Sequence, residues 1–116
     1  MTRRLIVAFG VAVAALVWTS EAQAQDKALI AKGMKVYEQQ KCSMCHSIAG
    51  KGNAKGPLDG VGTKLSAGDI RLWMVDPKGM TAKTKAARMP AMRTYPNLPK
   101  EDLEAVIAYM VSLKKK

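Results

Sequence analysis

Histidine is almost absent from this chain: His46 is the only one in 116 residues. A zinc site built on several imidazoles is thereby excluded. Aromatic residues are also scarce, with two Trp, three Tyr and one Phe. The apolar content comes instead from aliphatic side chains and eight methionines. No apolar run reaches the roughly 20 residues that a membrane span requires; the longest extends from Leu5 to Trp18. Alternation at a period of two is negligible, which leaves little signal for strands. Internal repeats, low-complexity tracts and a second domain are missing as well.

The N-terminus has the order of an export signal. Arg3 and Arg4 form a basic start, Leu5 to Trp18 an apolar stretch, and Ala22-Gln23-Ala24 a small-residue cleavage pattern. Residues 1–24 are expected to be a removed signal peptide, and residues 25–116 the single mature domain. No cysteine lies near the cleavage point to carry a lipid anchor. Arg3-Arg4 is only a fragment of a twin-arginine signal. The expectation is a soluble periplasmic monomer without a membrane anchor after cleavage.

Charge is one-sided, with 19 Lys and Arg against 9 Asp and Glu, a net +10. Removing Arg3, Arg4 and Glu21 with the signal takes away one unit and leaves +9. Such an excess on an exported protein steers it toward acidic surfaces. No basic helix interleaved with aromatics is present, so nucleic acid is not an expected partner.

What the chain does have is Cys42-Ser43-Met44-Cys45-His46. This C-x-x-C-H spacing is that of a c-type haem attachment site. Two thiols so placed can each add to one vinyl group of a single haem, giving two thioether bonds. The imidazole that follows can bind iron from the proximal side. As His46 is the lone histidine, bis-histidine ligation is excluded. Three other readings compete. A thioredoxin-like motif would sit in a βαβ pattern, a structural zinc would need four ligands, and a disulfide across so short a loop would gain little stability.

Around the motif the pattern is helical. A first helix is expected over about Lys27 to Gln40, with Asp26 as N-cap and Ala28, Leu29, Ala31, Val36 and Tyr37 as apolar positions. Gly33 and Tyr37 share a face. Ala49 to Gly62 reads as a glycine-punctuated loop. Ser66-Ala67-Gly68-Asp69 has the form of a capping box, opening a short helix with Ile70, Trp73 and Met74 on one side and an end at Pro77. Asp76 to Pro99 reads as a long connection. The last helix runs from about Pro99 to Leu113, with Leu103, Val106, Ile107, Met110 and Leu113 as its buried stripe. The fold class is all-α.

In this order the chain resembles the small class I mono-haem cytochromes c. The resemblance rests on Gly33-x-x-x-Tyr37 ahead of the haem motif, the Gly56-Pro57-Leu58 turn, Trp73 in a short helix, a methionine in the Pro-rich loop, and Ala108-Tyr109 in the closing helix. It implies a cytochrome c fold whose first and last helices cross at Gly33, wrapped around one covalent haem c. It also implies that the Pro57 carbonyl orients His46, and that Leu58, Leu65 and Trp73 wall the haem. Pro99 and Lys100 stand where the family usually has Ser or Thr, which alters the last helix's N-cap.

The resemblance further implies a methionine as distal iron ligand, expected to be Met92, with Met89 as the alternative. Met89-Pro90 resembles the family's ligand dipeptide. Met92 has the better spacing, with Tyr95 three residues on and Leu98 six residues on, before the last helix. Histidine–methionine ligation would favour the reduced state. The function implied is electron transfer by Fe(III)/Fe(II) cycling, with redox proteins of acidic docking face as partners, rather than enzymatic turnover by the chain alone. Two alternatives remain: a haem subunit of a larger respiratory or sulfur-oxidising complex, and a ligand-binding haem with an open sixth position.

Overall fold

The computed structural model describes residues 8–116, and side-chain environments from residue 22 onward. Arg3, Arg4 and the first residues of the apolar run lie outside the described residues. Helix α1 spans Ala8–Gln39 and is followed by a 3-10 turn at Cys42–Met44, then by the two-residue strands β1 (Ser47–Ile48) and β2 (Lys51–Gly52). Four more helices complete the described chain: α2 (Val61–Lys64), α3 (Ala67–Val75), α4 (Pro77–Thr84) and α5 (Lys100–Ser112).

Helix α1 starts far upstream of the expected Lys27, so Asp26 lies inside it and is no N-cap. The reason is local. No glycine or proline interrupts residues 11 to 32, and alanine, the best helix former, is frequent there. Ala28, Leu29 and Ala31 face solvent, whereas Gly33, Val36 and Tyr37 are buried. No helix among the described residues is long and apolar enough to cross a membrane.

The buried end of α1 crosses α5. A Cβ built on Gly33 would stand 2.1 Å from the Ala105 carbonyl oxygen and 2.8 Å from Tyr109 Cβ. Only a residue without a side chain allows that approach. Four residues on, the Tyr37 and Tyr109 rings meet edge to face, their centroids 5.9 Å apart at 86°. On α5, Ala105, Val106, Ile107 and Met110 are buried, while Leu103 and Leu113 are half-buried at the core's margin. The stripe expected from the sequence is therefore present, with Ala105 added to it.

Helix α3 begins as its capping box requires, with Ser66 Oγ accepting from the Asp69 amide at 3.1 Å. It buries Ile70 and Met74, while Trp73 is half-buried. Arg71 reaches across to α5 and pairs with both carboxylate oxygens of Glu104, Nη2 to Oε2 at 2.9 Å. Two apolar clusters result. One gathers Tyr37, Ile70, Ile107 and Met110; the other gathers Val36, Met74 and Val106.

Two expectations need correction. The Asp76–Pro99 stretch is not all connection, because α4 occupies Pro77–Thr84. Asp76 caps it by accepting from the Gly79 amide at 3.1 Å, and Pro77 takes the first helical position, where its missing N–H is harmless. The Ala49–Gly62 loop likewise holds β2, which pairs back on β1 in a small antiparallel ladder, and the start of α2. Ser47 pairs with Gly52 and Ile48 with Lys51. Ala49 and Gly50, at φ 52 and 78, turn the chain between them, as a tight hairpin demands.

Candidate functional site

The Cys42–His46 motif sits at the end of α1, where the chain changes direction at once. Lys41 adopts the left-handed conformation (φ 56, ψ 39) and breaks the helix. The next residues wind into the 3-10 turn, with the Cys45 and His46 amides both donating to the Cys42 carbonyl, at 3.1 and 2.9 Å. One tight turn thus holds both thiols and the imidazole. Cys42 is half-buried against the Tyr37–Ile107 cluster, and Cys45 is exposed. The two thiols are free, with no disulfide between them.

The following loop folds back and braces this turn. The Asn53 amide donates to the Ser43 and His46 carbonyls at 3.0 and 2.9 Å, and Asn53 Nδ2 donates to the Met44 carbonyl at 3.1 Å. A Cβ on Gly52 would lie 2.2 Å from the His46 carbonyl oxygen, so the strand can pass there only as glycine. The ladder then brings Gly56 alongside Ser47, whose amide donates to the Gly56 carbonyl at 3.1 Å.

That same carbonyl accepts from His46 Nδ1 at 3.0 Å. The family resemblance implies this role for the Pro57 carbonyl; the structure gives it to Gly56, one residue earlier. The Leu58 amide donates to Ser47 at 2.8 Å, and this pairing on either side of Pro57 turns the Gly56 carbonyl toward the imidazole. Because a carbonyl can only accept, Nδ1 carries the proton and Nε2 is left with a free lone pair. Burial holds the His46 pKa below its ordinary value, opposed by the Gly56 hydrogen bond and reinforced by the nearby Arg88 charge. The ring is thus kept in the neutral form that binds metal.

The residues expected on the distal side separate cleanly. Met92, Tyr95 and Leu98 are half-buried and pack against Val36, Met74 and Val106. Met89 is 81% exposed. Leu58 and Leu65 pack on the Tyr37–Ile107 cluster. Two contributors escaped the sequence reading: Asn53, whose amide braces the turn, and Arg93, which donates to the Gln40 carbonyl at 2.8 Å. Arg93 has no local motif to announce it, since its partner lies 53 residues away.

The donor set suits one particular group. Two thiols in one turn, an adjoining imidazole with Nε2 free and a half-buried thioether fit the attachment and axial ligation of haem c. Among the described residues, no three His, Cys, Asp or Glu side chains converge as a cage for a metal ion.

Comparison with known proteins agrees. The cytochrome c family profile matches residues 30–114. The chain belongs to the cytochrome c family. A domain of this family implies haem c as cofactor and haem-based electron transfer. This cytochrome c is also similar to cytochrome c oxidase subunit 2 of Alkalihalophilus pseudofirmus, with 32% identity over 105 residues. The match covers 83% of the present chain and 29% of that relative's length. No solved structure matches it.

Proposed function

We propose that this cytochrome c is an exported electron carrier with one covalent haem, bound through Cys42 and Cys45 and ligated by His46 and Met92. The observation that carries the reading is the 3.0 Å bond from His46 Nδ1 to the Gly56 carbonyl. It commits one ring nitrogen and presents the other as a ligand of fixed orientation and raised basicity. When bound, the haem supplies a one-electron Fe(III)/Fe(II) couple. The protein's part is to hold the imidazole, bury one thiol against the core and keep the Met92 segment packed on Val36, Met74 and Val106. The burial of Met92 against the exposure of Met89 supports Met92 as the distal ligand. A sulfur packed on the core is held near one position, whereas one on an exposed loop must be ordered at an entropic cost.

Export is supported by the basic, apolar and A-x-A order of residues 3–24, and mass spectrometry of the mature N-terminus tests it. A chain beginning at Gln25 is expected; an intact Met1 start would refute cleavage. Acid–acetone extraction tests covalency. Colour should stay with the precipitated protein and should be lost in Cys42→Ala/Cys45→Ala. The oxidised protein should show the weak red methionine-to-iron charge-transfer band, which Met92→Ala removes and Met89→Ala leaves.

A second reading is favoured by the oxidase relative: the domain serves as the haem-bearing part of a larger respiratory complex. Purification at native abundance separates the two. A monomer with rapid reversible reduction supports the free carrier, and a stoichiometric oxidase subunit travelling with it supports the complex.

A further inference from the structure

We propose that Arg93 is a positioning residue that fastens the Met92 segment to the end of α1 and so keeps the methionine sulfur on the iron. The inference rests on the reading of Met92 as distal ligand. It starts from an unmet need of α1. The last carbonyls of a helix lack intrahelical donors and carry partial negative charge, which a nearby cation satisfies. The last turn of α1 contains no basic residue. Lys41 leaves the helix in a left-handed conformation, and the cation comes instead from the distal loop: Arg93 Nη2 donates to the Gln40 carbonyl at 2.8 Å.

Gln40 stands two residues before Cys42, and Arg93 directly follows Met92. This one hydrogen bond therefore links the neighbour of the distal sulfur to the approach of the haem-binding turn. The guanidinium is fixed at two further points. Its Nε donates to the Tyr95 hydroxyl at 3.2 Å, and its carbon lies 5.2 Å from the Tyr95 ring centroid. A planar fork can make a carbonyl bond, a hydroxyl bond and a ring contact together, which a lysine ammonium cannot.

Little of the loop is buried. Residues 82 to 91 are all exposed, as are Arg93 and Thr94, leaving Met92 as the half-buried member of the run from 82 to 94. Packing places the Met92 side chain on the core but gives the exposed backbone on either side of it no anchor of its own. A charge-assisted bond to a backbone carbonyl adds direction as well as energy.

The test uses ferric holoprotein and imidazole, which competes with the methionine for iron. In Arg93→Ala the apparent affinity for imidazole should rise about tenfold, the expected loss for one hydrogen bond to a charged group. Arg93→Lys, which keeps the charge without the fork, should fall between. Lys85→Ala, an equal loss of charge elsewhere on the exposed loop, should leave it unchanged. In a Met92→Ala background, Arg93→Ala should have no further effect, because no methionine remains to be displaced. A drop in thermal stability with unchanged imidazole affinity would reduce Arg93 to a structural role and overturn the proposal. So would an affinity gain that persists undiminished in the Met92→Ala background. A charge-transfer band that survives Met92→Ala would instead remove the ligand assignment, and this inference with it.

Discussion

Gly33 and Ala105 touch through backbone alone: a Cβ on the glycine would come within 2.1 Å of the Ala105 carbonyl oxygen. Ala105 is fully buried, and its carbonyl belongs to the middle of α5. Neither partner can yield without moving a helix. Gly33→Ala should therefore destabilise the holoprotein by about 2–3 kcal/mol, the upper part of the usual range for overpacking. That overrides the ~1 kcal/mol gain in helix propensity which the same change would bring on an exposed face. Thermal unfolding checks it, with a midpoint lowered by roughly 10 °C or more. An unchanged midpoint would mean that the two helices are free to separate.

Next to this crossing, the Tyr37 hydroxyl is buried without a hydrogen-bond partner among the described residues. Burial pushes its pKa up to about 12, with nearby Cys42, Tyr109 and Asp59 adding to the rise. The folded protein thus keeps a proton that the unfolded chain, titrating near 10.0, gives up first. Stability from this group is complete below pH 10 and declines as pH rises from 10 to 12. Tyr37→Phe should match or exceed wild-type stability at pH 7, since an unpaired buried hydroxyl is removed. It should also lose less stability than wild type between pH 10 and 12. Parallel denaturant titrations of the two proteins at pH 7, 10 and 11.5 decide it. A variant weaker at pH 7 would reveal a partner for the hydroxyl.

The features legible in the sequence were those in which one residue type has one physical use. The C-x-x-C-H spacing pointed to haem and Ser66 with Asp69 to a helix start, while the crossing at Gly33 came from the family resemblance; the family match and the structure support these readings. Pro77 was ambiguous, because proline ends one helix and opens another with equal ease. Asp76 resolves the matter only in three dimensions. Its amide closes α3 on the Leu72 carbonyl at 2.7 Å while its carboxylate opens α4. The Ser47–Gly52 ladder was too short to show alternation. The Gly56 carbonyl was misassigned to Pro57 because backbone groups carry no sequence signature. Arg93 was invisible for the opposite reason: its partner is a main-chain carbonyl 53 residues distant.

Asp76 carries its own prediction. Asp76→Ala removes the acceptor for the Gly79 amide and should cost about 1 kcal/mol, as loss of an N-cap usually does. The effect should be local. Hydrogen exchange at Gly79 and Met80 should quicken, while α5 amides keep their protection. Met80 is buried, so fraying of α4 also exposes an apolar side chain. Equal loosening of α4 and α5 would show that the cap supports the whole domain.

The acidic docking partner expected from the positive charge excess makes a last prediction, about rates. Lys41, Lys51, Lys55, Lys83 and Lys85 are all exposed. Lys41 directly precedes the Cys42–Met44 turn, and Lys55 adjoins Gly56, whose carbonyl accepts from His46. Charges in this position act on an approaching partner before contact and alter the association rate more than the final affinity. Bimolecular electron transfer with an acidic redox protein, followed by stopped flow, should slow as salt rises toward 0.15 M, where screening sets in beyond about 8 Å. Lys41→Glu and Lys55→Glu should each slow it several-fold at low salt and converge on wild type at high salt. Lys116→Glu, at the chain's far end, should do less. Equal slowing by all three would mean that net charge steers the encounter, and a rate indifferent to salt would remove the acidic docking face from the account.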